Sequence, residues 1–152
     1  MHHRHLRHCL LTAADAGADV LKPNHHELLE ATGAATIADG AQMLLDRGAG
    51  TVVVSCAEAG MYLYRTGQPP QQASLPRVDG NPTGAGDAAV AALAVVLAAG
   101  ITSAETLLRL AVAWSAAAVL MPAAGELHPS YPDLEPAVTV TQHHLPEQES
   151  RA

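Results

Sequence analysis

The chain has no phenylalanine, one tryptophan and three tyrosines among 152 residues. A core without large rings has to be filled by alanine, valine and leucine, so its helices should pack closely. Apolar residues make up 49% of the chain, enough for one globular domain. Basic residues are few: eight Lys plus Arg stand against fifteen Asp plus Glu, a net charge of −7 with histidine neutral. That balance excludes the basic stripe of a nucleic-acid binder. The two cysteines, Cys9 and Cys56, cannot make a disulfide framework and have no metal-site spacing, which suits a reducing cytoplasm. The longest uncharged apolar run, Ala88 to Ala99, falls short of the ~20 residues that span a bilayer. The opening MHHRHLRHCLL lacks the apolar stretch of a signal peptide, and His2, His3, His5 and His8 fit no standard metal spacing.

What is present is an alternation of strands and helices. Ala18 to Lys22 reads as a short buried strand, ended by Pro23-Asn24. HHELLEATG follows as a helix stopped by Gly33. Thr36 caps a second helix with Ile37, Ala41, Leu44 and Leu45 on one face, and Gly48 stops it. Thr51 to Ser55 is a β-branched run without alternation, as in a strand buried on both faces. AEAG turns into a strand over Met61 to Arg65. TGQPPQQ reads as a loop, and ASLPRV as a further short strand. A helix from about Gly84 to Ala99 carries Asp87 as its only charge and is expected to be buried. Thr102 and Glu105 have capping-box spacing and open a helix to about Met121. LHPSYPDLEP is irregular, AVTVT forms a last strand, and the end should fray. The pattern predicts an α/β fold with a largely parallel sheet.

The stretch NPTGAGDAAVAAL carries the chemistry. A helix N-terminus offers unpaired N–H groups and the positive end of the helix dipole. Gly84 and Gly86 let the backbone approach a ligand closely, so the turn can form an anion hole. Asp87 would repel a phosphate that merely bound there. It makes sense as a general base that deprotonates a hydroxyl while the N–H groups hold a transferring phosphoryl. Two plain readings stand beside this one: an acid in a first helical turn is a routine stabiliser, and Gly-Ala-Gly can be a tight turn only. A P-loop is excluded because no lysine follows the glycines. GAGDAA also matches the looser dinucleotide fingerprint, but the second strand that fold needs is replaced by a helix cap straight after Gly100.

These residues resemble the C-terminal signature of the PfkB, or ribokinase-like, carbohydrate kinases. VLKPNHHELLEATG resembles the same family's KPN segment with its Asn24-x-x-Glu27 pair. TVVVSCAEAGMYLY resembles its strand-turn-strand, with Cys56 and Ala57 where Leu-Gly is usual. An alanine is strained wherever that turn requires positive φ. Within the family the wording is nearest to the 1-phosphofructokinase and tagatose-6-phosphate kinase branch. The resemblance implies the C-terminal half of a three-layer αβα sandwich with a mostly parallel sheet. It implies an ATP- and Mg²⁺-dependent kinase acting on a sugar or sugar phosphate, in the cytoplasm. Asp87 would be the catalytic base, and Gly84, Ala85 and Gly86 the anion hole. Lys22 and Asn24 would lie near the ATP phosphates, and Asn24 with Glu27 would organise Mg²⁺ without a direct metal site. Ser55, Cys56, Ala57, Glu58, Ala59 and Gly60 would form the turn beside the nucleotide, and the helix around Ala111 to Leu120 would flank the adenine.

Local chemistry leaves other roles open. Asn24 and Glu27 also have capping-box spacing, and Trp114 reads as a core residue before it reads as an adenine stacker. The implied organisation is an atypical N-terminal segment over residues 1–17, the C-terminal part of a PfkB kinase domain over 18–141, and a frayed tail over 142–152. Family members are about twice this long, so a truncated reading frame is expected, with little sugar kinase activity from the chain alone. The alternatives are a non-catalytic nucleotide-binding remnant, or a kinase of the same family acting on another sugar or a nucleoside. The expected partners are the sugar substrate and ATP, with self-association through an exposed sheet edge.

Overall fold

A computed structural model of the chain describes residues 2–144. Helix α1 (His2–Asp15) leads into β1 (Val20–Leu21), followed by α2 (His25–Thr32), α3 (Ile37–Arg47) and β2 (Thr51–Ser55). A single 3-10 turn (Ala57–Ala59) joins β2 to β3 (Met61–Tyr64), and β4 (Gln71–Ser74) completes a meander. Then come α4 (Ala85–Ala98), α5 (Ala104–Val119), the short α6 (Tyr131–Leu134) and β5 (Thr139–Gln142). The strands form one sheet in the order β1-β2-β3-β4-β5.

Helices cover both faces of this sheet. On one face α1, α2 and α3 pack against β1 and β2, through Ala14, Leu28, Leu44 and Leu45 over Val52 and Val54. On the other, α4 and α5 bring Leu93, Leu107, Leu108 and Ala111 over Val53, Met61, Leu63 and Ala73. Val52, Val53 and Val54 are all fully buried, which bears out the unalternating TVVVS run. The close helix packing expected of an alanine-rich chain is realised between α4 and α5, where Ala89, Ala92, Ala111 and Ala113 are fully buried.

The expectation of a mostly parallel sheet is corrected within these residues. Only β1 and β2 run parallel; β2–β3, β3–β4 and β4–β5 are antiparallel. Parallel neighbours need a crossover of a dozen or more residues, and α2 and α3 supply one between β1 and β2. The links from β2 to β3 and from β3 to β4 are too short for that, so those strands fold back on each other.

Four smaller expectations also change. Ser103, not Thr102, caps α5, its hydroxyl accepting from the Thr106 N–H at 3.3 Å. The strand looked for in ASLPRV begins earlier, at Gln71, and ends at Ser74 before Pro76, which has no N–H to give to the ladder. Helix α4 is not buried all round: Val90 and Val95 are 50% and 52% exposed. The residues set aside as an atypical segment form α1, whose Leu10, Leu11 and Ala13 join the core under α2 and α3. Of the tail, Gln142 ends β5 and His143 donates its N–H to the Pro70 carbonyl at 2.7 Å; residues 145–152 lie outside the described range.

Candidate active site

The glycine turn opens α4. Gly84 occupies the N-cap position with φ 87°, a left-handed conformation that favours glycine, and no side chain caps the helix. A Cβ on Gly84 would lie 3.3 Å from the Ala124 methyl, so the chain is also close-packed there. The Ala85 N–H donates to the Pro82 carbonyl at 3.2 Å, and the Ala88 N–H to the Gly84 carbonyl at 2.9 Å. Between them, the N–H groups of Gly86 and Asp87 have no acceptor within the helix because of their position in its first turn. Asp87 is exposed beside them.

Lys22, the only lysine of the chain, arrives at this turn from the end of β1. Its Nζ lies 3.5 Å from Ser55 Oγ and 3.8 Å from where a Cβ on Gly86 would stand. Ser55 is held in turn: its N–H donates to the Pro23 carbonyl at 3.1 Å, and it bridges Asn24 in parallel register. Burial pushes the Lys22 pKa below 10.5, while Glu27 and then Asp87 pull it back up. The ends of the two parallel strands thus bring Lys22, Asn24, Glu27 and Ser55 to the start of α4. Strand pairing does this across more than thirty residues of sequence.

Asn24 and Glu27 form the reciprocal capping box. Asn24 Oδ1 accepts from the Glu27 N–H at 2.8 Å, and Glu27 Oε2 accepts from the Asn24 N–H at 2.9 Å. That accounts for their spacing in structural terms and leaves Glu27 Oε1 outside the box.

The 56–60 turn follows Ser55. The Cys56 N–H donates to the Gly60 carbonyl at 2.8 Å. Gly60 has φ 82°, and a Cβ there would overlap the Ala73 carbonyl oxygen. Ala57 has φ 44°, the one positive φ outside glycine among the described residues, so the strain expected of an alanine in this turn is present. Glu58 and Ala59 are exposed; Glu58 meets Arg77 at 3.2 Å. Cys56 is half-buried, and burial raises its thiol pKa. Of the residues proposed from sequence, this turn joins the Lys22 cluster only through Ser55.

A cleft of about 310 Å³ runs between α4 and α5, lined by Gly84, Asp87, Ala88, Trp114, Gly125 and Glu126. Trp114, read from sequence as core, is half-buried on its wall, edge-on to Tyr131 with ring centroids 6.0 Å apart. Its buried indole Nε1 has no hydrogen-bond partner among the described residues. The sequence reading missed Glu126 and the role of Asn81. Glu126 sits in an irregular loop with no local signal, whereas Asn81 stands at the head of the quoted motif.

The arrangement can cradle an anion between the Lys22 ammonium and the unpaired N–H groups of α4, with a carboxylate at the same turn able to take a proton. A polyphosphate fits that donor set, and Glu27 Oε1 is an oxygen of the kind a hard divalent cation or its waters take.

A sequence model of the pfkB family carbohydrate kinases matches residues 3–130, and the chain belongs to that family. The match begins inside the stretch read as atypical. Among curated proteins, the bifunctional protein HldE of Azotobacter vinelandii is 35% identical over 130 residues, 80% of this chain and 26% of that protein. The HldE of Pseudomonas putida is 40% identical over 93 residues, 55% of this chain and 19% of that one. Among solved structures, phosphofructokinase-2 of Escherichia coli, in complex with substrates and products, superposes with a TM-score of 0.75 at 27% identity. It is matched over 86% of this chain and 44% of its own length. Ribokinase of Arabidopsis thaliana, complexed with ribose and ATP, gives 0.67 at 29% identity, over 77% of this chain and 40% of its own. The fold is ribokinase-like, and the chain spans about a fifth to a quarter of the curated relatives and less than half of these structures.

Proposed function

We propose that the chain takes part in ATP-dependent phosphorylation of a sugar or sugar phosphate, with Asp87 as the base. One observation carries the proposal: Lys22 Nζ stands 3.8 Å from the Cβ position of Gly86, beside an uncapped helix end whose first turn holds Asp87. The Asp87 carboxylate accepts the proton of the attacking hydroxyl. The N–H groups of Gly86 and Asp87, with the glycine turn Gly84-Ala85-Gly86, hold the charge that grows on the transferring phosphoryl. Lys22 neutralises the neighbouring phosphates, and its depressed pKa is opposed by the carboxylates on either side. Mg²⁺, organised through Glu27 and Asn24, supplies further neutralisation of phosphate charge when bound. The 55–60 turn lies beside the nucleotide, with Ser55 steadying Lys22.

The match to phosphofructokinase-2 supports a phosphorylated hexose of the 1-phosphofructokinase type; the match to ribokinase supports a free sugar as the second choice. The chain corresponds to the C-terminal half of the kinase. Among the described residues, strand β1 has a sheet neighbour on one side only, and Val90 and Val95 stand half exposed. That edge and face favour self-association.

The test combines calorimetry with Mg-ATP and a turnover assay that offers fructose 1-phosphate, fructose 6-phosphate and tagatose 6-phosphate. Saturable nucleotide binding that weakens tenfold or more in Lys22→Met is expected. Equal binding by both proteins, or none by the wild type, sinks the reading. Binding without turnover on any sugar selects the nucleotide-binding role over the catalytic one.

A further inference from the structure

Between β4 and α4 the chain must bring a glycine turn to one place and hold it there. Helix α4 offers no side-chain cap for that purpose. The residue that does the holding is Asn81, three positions before Gly84. Its backbone N–H donates to the Val119 carbonyl at 2.8 Å, taking up one of the last carbonyls of α5. Its side-chain Nδ2 donates to the Pro122 carbonyl at 3.1 Å, just past the end of that helix. Its Oδ1 accepts from the Thr83 N–H at 3.1 Å, on the glycine turn itself. One asparagine thus ties the turn to the C-terminal end of α5 with both halves of its amide. The approach is close: a Cβ on the preceding Gly80 would overlap the Val119 carbonyl oxygen, so only glycine lets the chain reach α5 there. On the far side, Gly84 rests against Ala124. Asn81 and Gly84 therefore grip the same loop, residues 119–124, from two points.

We infer that Asn81 is a positioning residue, fixing the Gly84–Asp87 turn by clamping it to the loop after α5. The inference deepens the kinase reading and rests on it for what the turn does. The clamp itself is tested without nucleotide.

The chemistry of the amide makes the test specific. Asn81→Ala removes both side-chain bonds. Asn81→Asp keeps the acceptor for Thr83 but sets a carboxylate oxygen against the Pro122 carbonyl, an oxygen facing an oxygen. Protonation of that carboxyl restores a donor, so the aspartate variant should recover as pH falls through the carboxylate range. Asp79, Asp87, Glu126 and His128 are the other titratable groups on or beside the segments joined, along with Arg77 and with Lys22 against the turn; all are present in every variant. Comparison with Asn81→Ala at the same pH therefore cancels them.

The measurement is hydrogen exchange on the full chain, corrected for intrinsic rates, following peptides over residues 81–88 and 119–127 against β2 as reference. At pH 7 both substitutions should speed exchange in both segments about tenfold, as the loss of one or two ordinary hydrogen bonds gives. At pH 4 the aspartate variant should return toward wild type and the alanine variant should not. Exchange unchanged in residues 81–88 in both variants, or an aspartate variant that tracks alanine at every pH, overturns the inference. If Asn81→Ala fails to fold, the pH series of Asn81→Asp decides alone. Mg-ATP affinity is measured in parallel: a wild type that binds no nucleotide ends the kinase reading and leaves the exchange result to judge the clamp.

Discussion

Two helices begin beside Lys22, and they begin differently. At α2 the N-terminus is closed: Asn24 and Glu27 exchange hydrogen bonds between side chain and backbone, and the first-turn N–H of Glu27 is satisfied within the chain. At α4 the N-cap is a left-handed glycine without a side-chain oxygen, and the first turn keeps unpaired N–H groups, with Lys22 Nζ 3.8 Å from where a Cβ on Gly86 would stand. Both first turns carry one acid, Glu27 and Asp87, and both acids raise the Lys22 pKa. The difference is what each acid does with its oxygens. Glu27 spends one on the Asn24 N–H, so its charge is fixed in place. Asp87 is exposed, and in the proposed function its carboxylate takes the proton of the attacking hydroxyl. A closed end stabilises its helix; an open end is where an anion and a proton can be handled.

The largest effect expected from this contrast is catalytic. In a chain completed with a suitable first half, Asp87→Asn should lower kcat by about 10²–10⁴, the usual worth of a general base, with Mg-ATP affinity nearly unchanged. A variant with full kcat would make the two acids equivalent and remove Asp87 from the chemistry.

The closed end should fail in the opposite way. Asn24→Ala should cost about 0.5–2 kcal/mol of stability through the lost cap, read by thermal or urea unfolding. Glu27→Gln sharpens the point, because glutamine also completes a capping box. Its unfolding midpoint should stay near wild type while the Mg²⁺ dependence of nucleotide binding weakens. If stability and Mg²⁺ dependence both stay put, Glu27 is a cap and nothing more.

At the open end, stability and binding should part company. Gly86 has an ordinary φ and room for one methyl, the nearest atom being Lys22 Nζ at 3.8 Å. Gly86→Ala should gain up to about 0.5–1 kcal/mol from reduced unfolded-state freedom, while narrowing the gap and weakening nucleotide binding. A variant that gains in both would show that the gap is not the anion site.

The smallest effect is the pH signature of Lys22. Its folded-state pKa lies below 10.5, so as pH falls the unfolded chain takes up the proton first. Stability should therefore rise with pH in the window just below 10.5, and that rise should be absent in Lys22→Met. An identical slope in both proteins would mean that the ammonium is not desolvated between the two helix starts.

Much of this contrast was legible along the chain, because helix ends are local. The Asn24–Glu27 spacing marked a capping box, and Gly84 to Asp87 marked a turn, a helix start and a lone acid. What the spacing left open was whether Asn24 and Glu27 formed a cap or organised Mg²⁺ and its waters; their mutual hydrogen bonds establish the cap and leave Glu27 Oε1 outside it. The exposure of Val90 and Val95 was hidden, because an uncharged run looks the same whether one face or all faces are covered. The cap of α5 moved one residue, from Thr102 to Ser103, since either hydroxyl precedes the same apolar face. The clamp at Asn81 was hidden for a different reason: its partners, Val119 and Pro122, lie far along the sequence and use only backbone carbonyls. No side-chain pattern records a bond of that kind.

By itself, the sequence determined where α2, α3 and α4 start and stop, which strand is buried on both faces, and which residue types stand at the glycine turn. These follow from backbone conformation, capping and apolar spacing, all of which act within a few residues. Only the tertiary structure decided that the sheet turns antiparallel after β2. It also decided that Lys22 and Ser55 meet the start of α4, that Trp114 lines a cleft, and that one asparagine joins two distant loops. Those outcomes depend on strand pairing and on contacts between segments dozens of residues apart, where the energy lies in the meeting of surfaces and not in either segment alone.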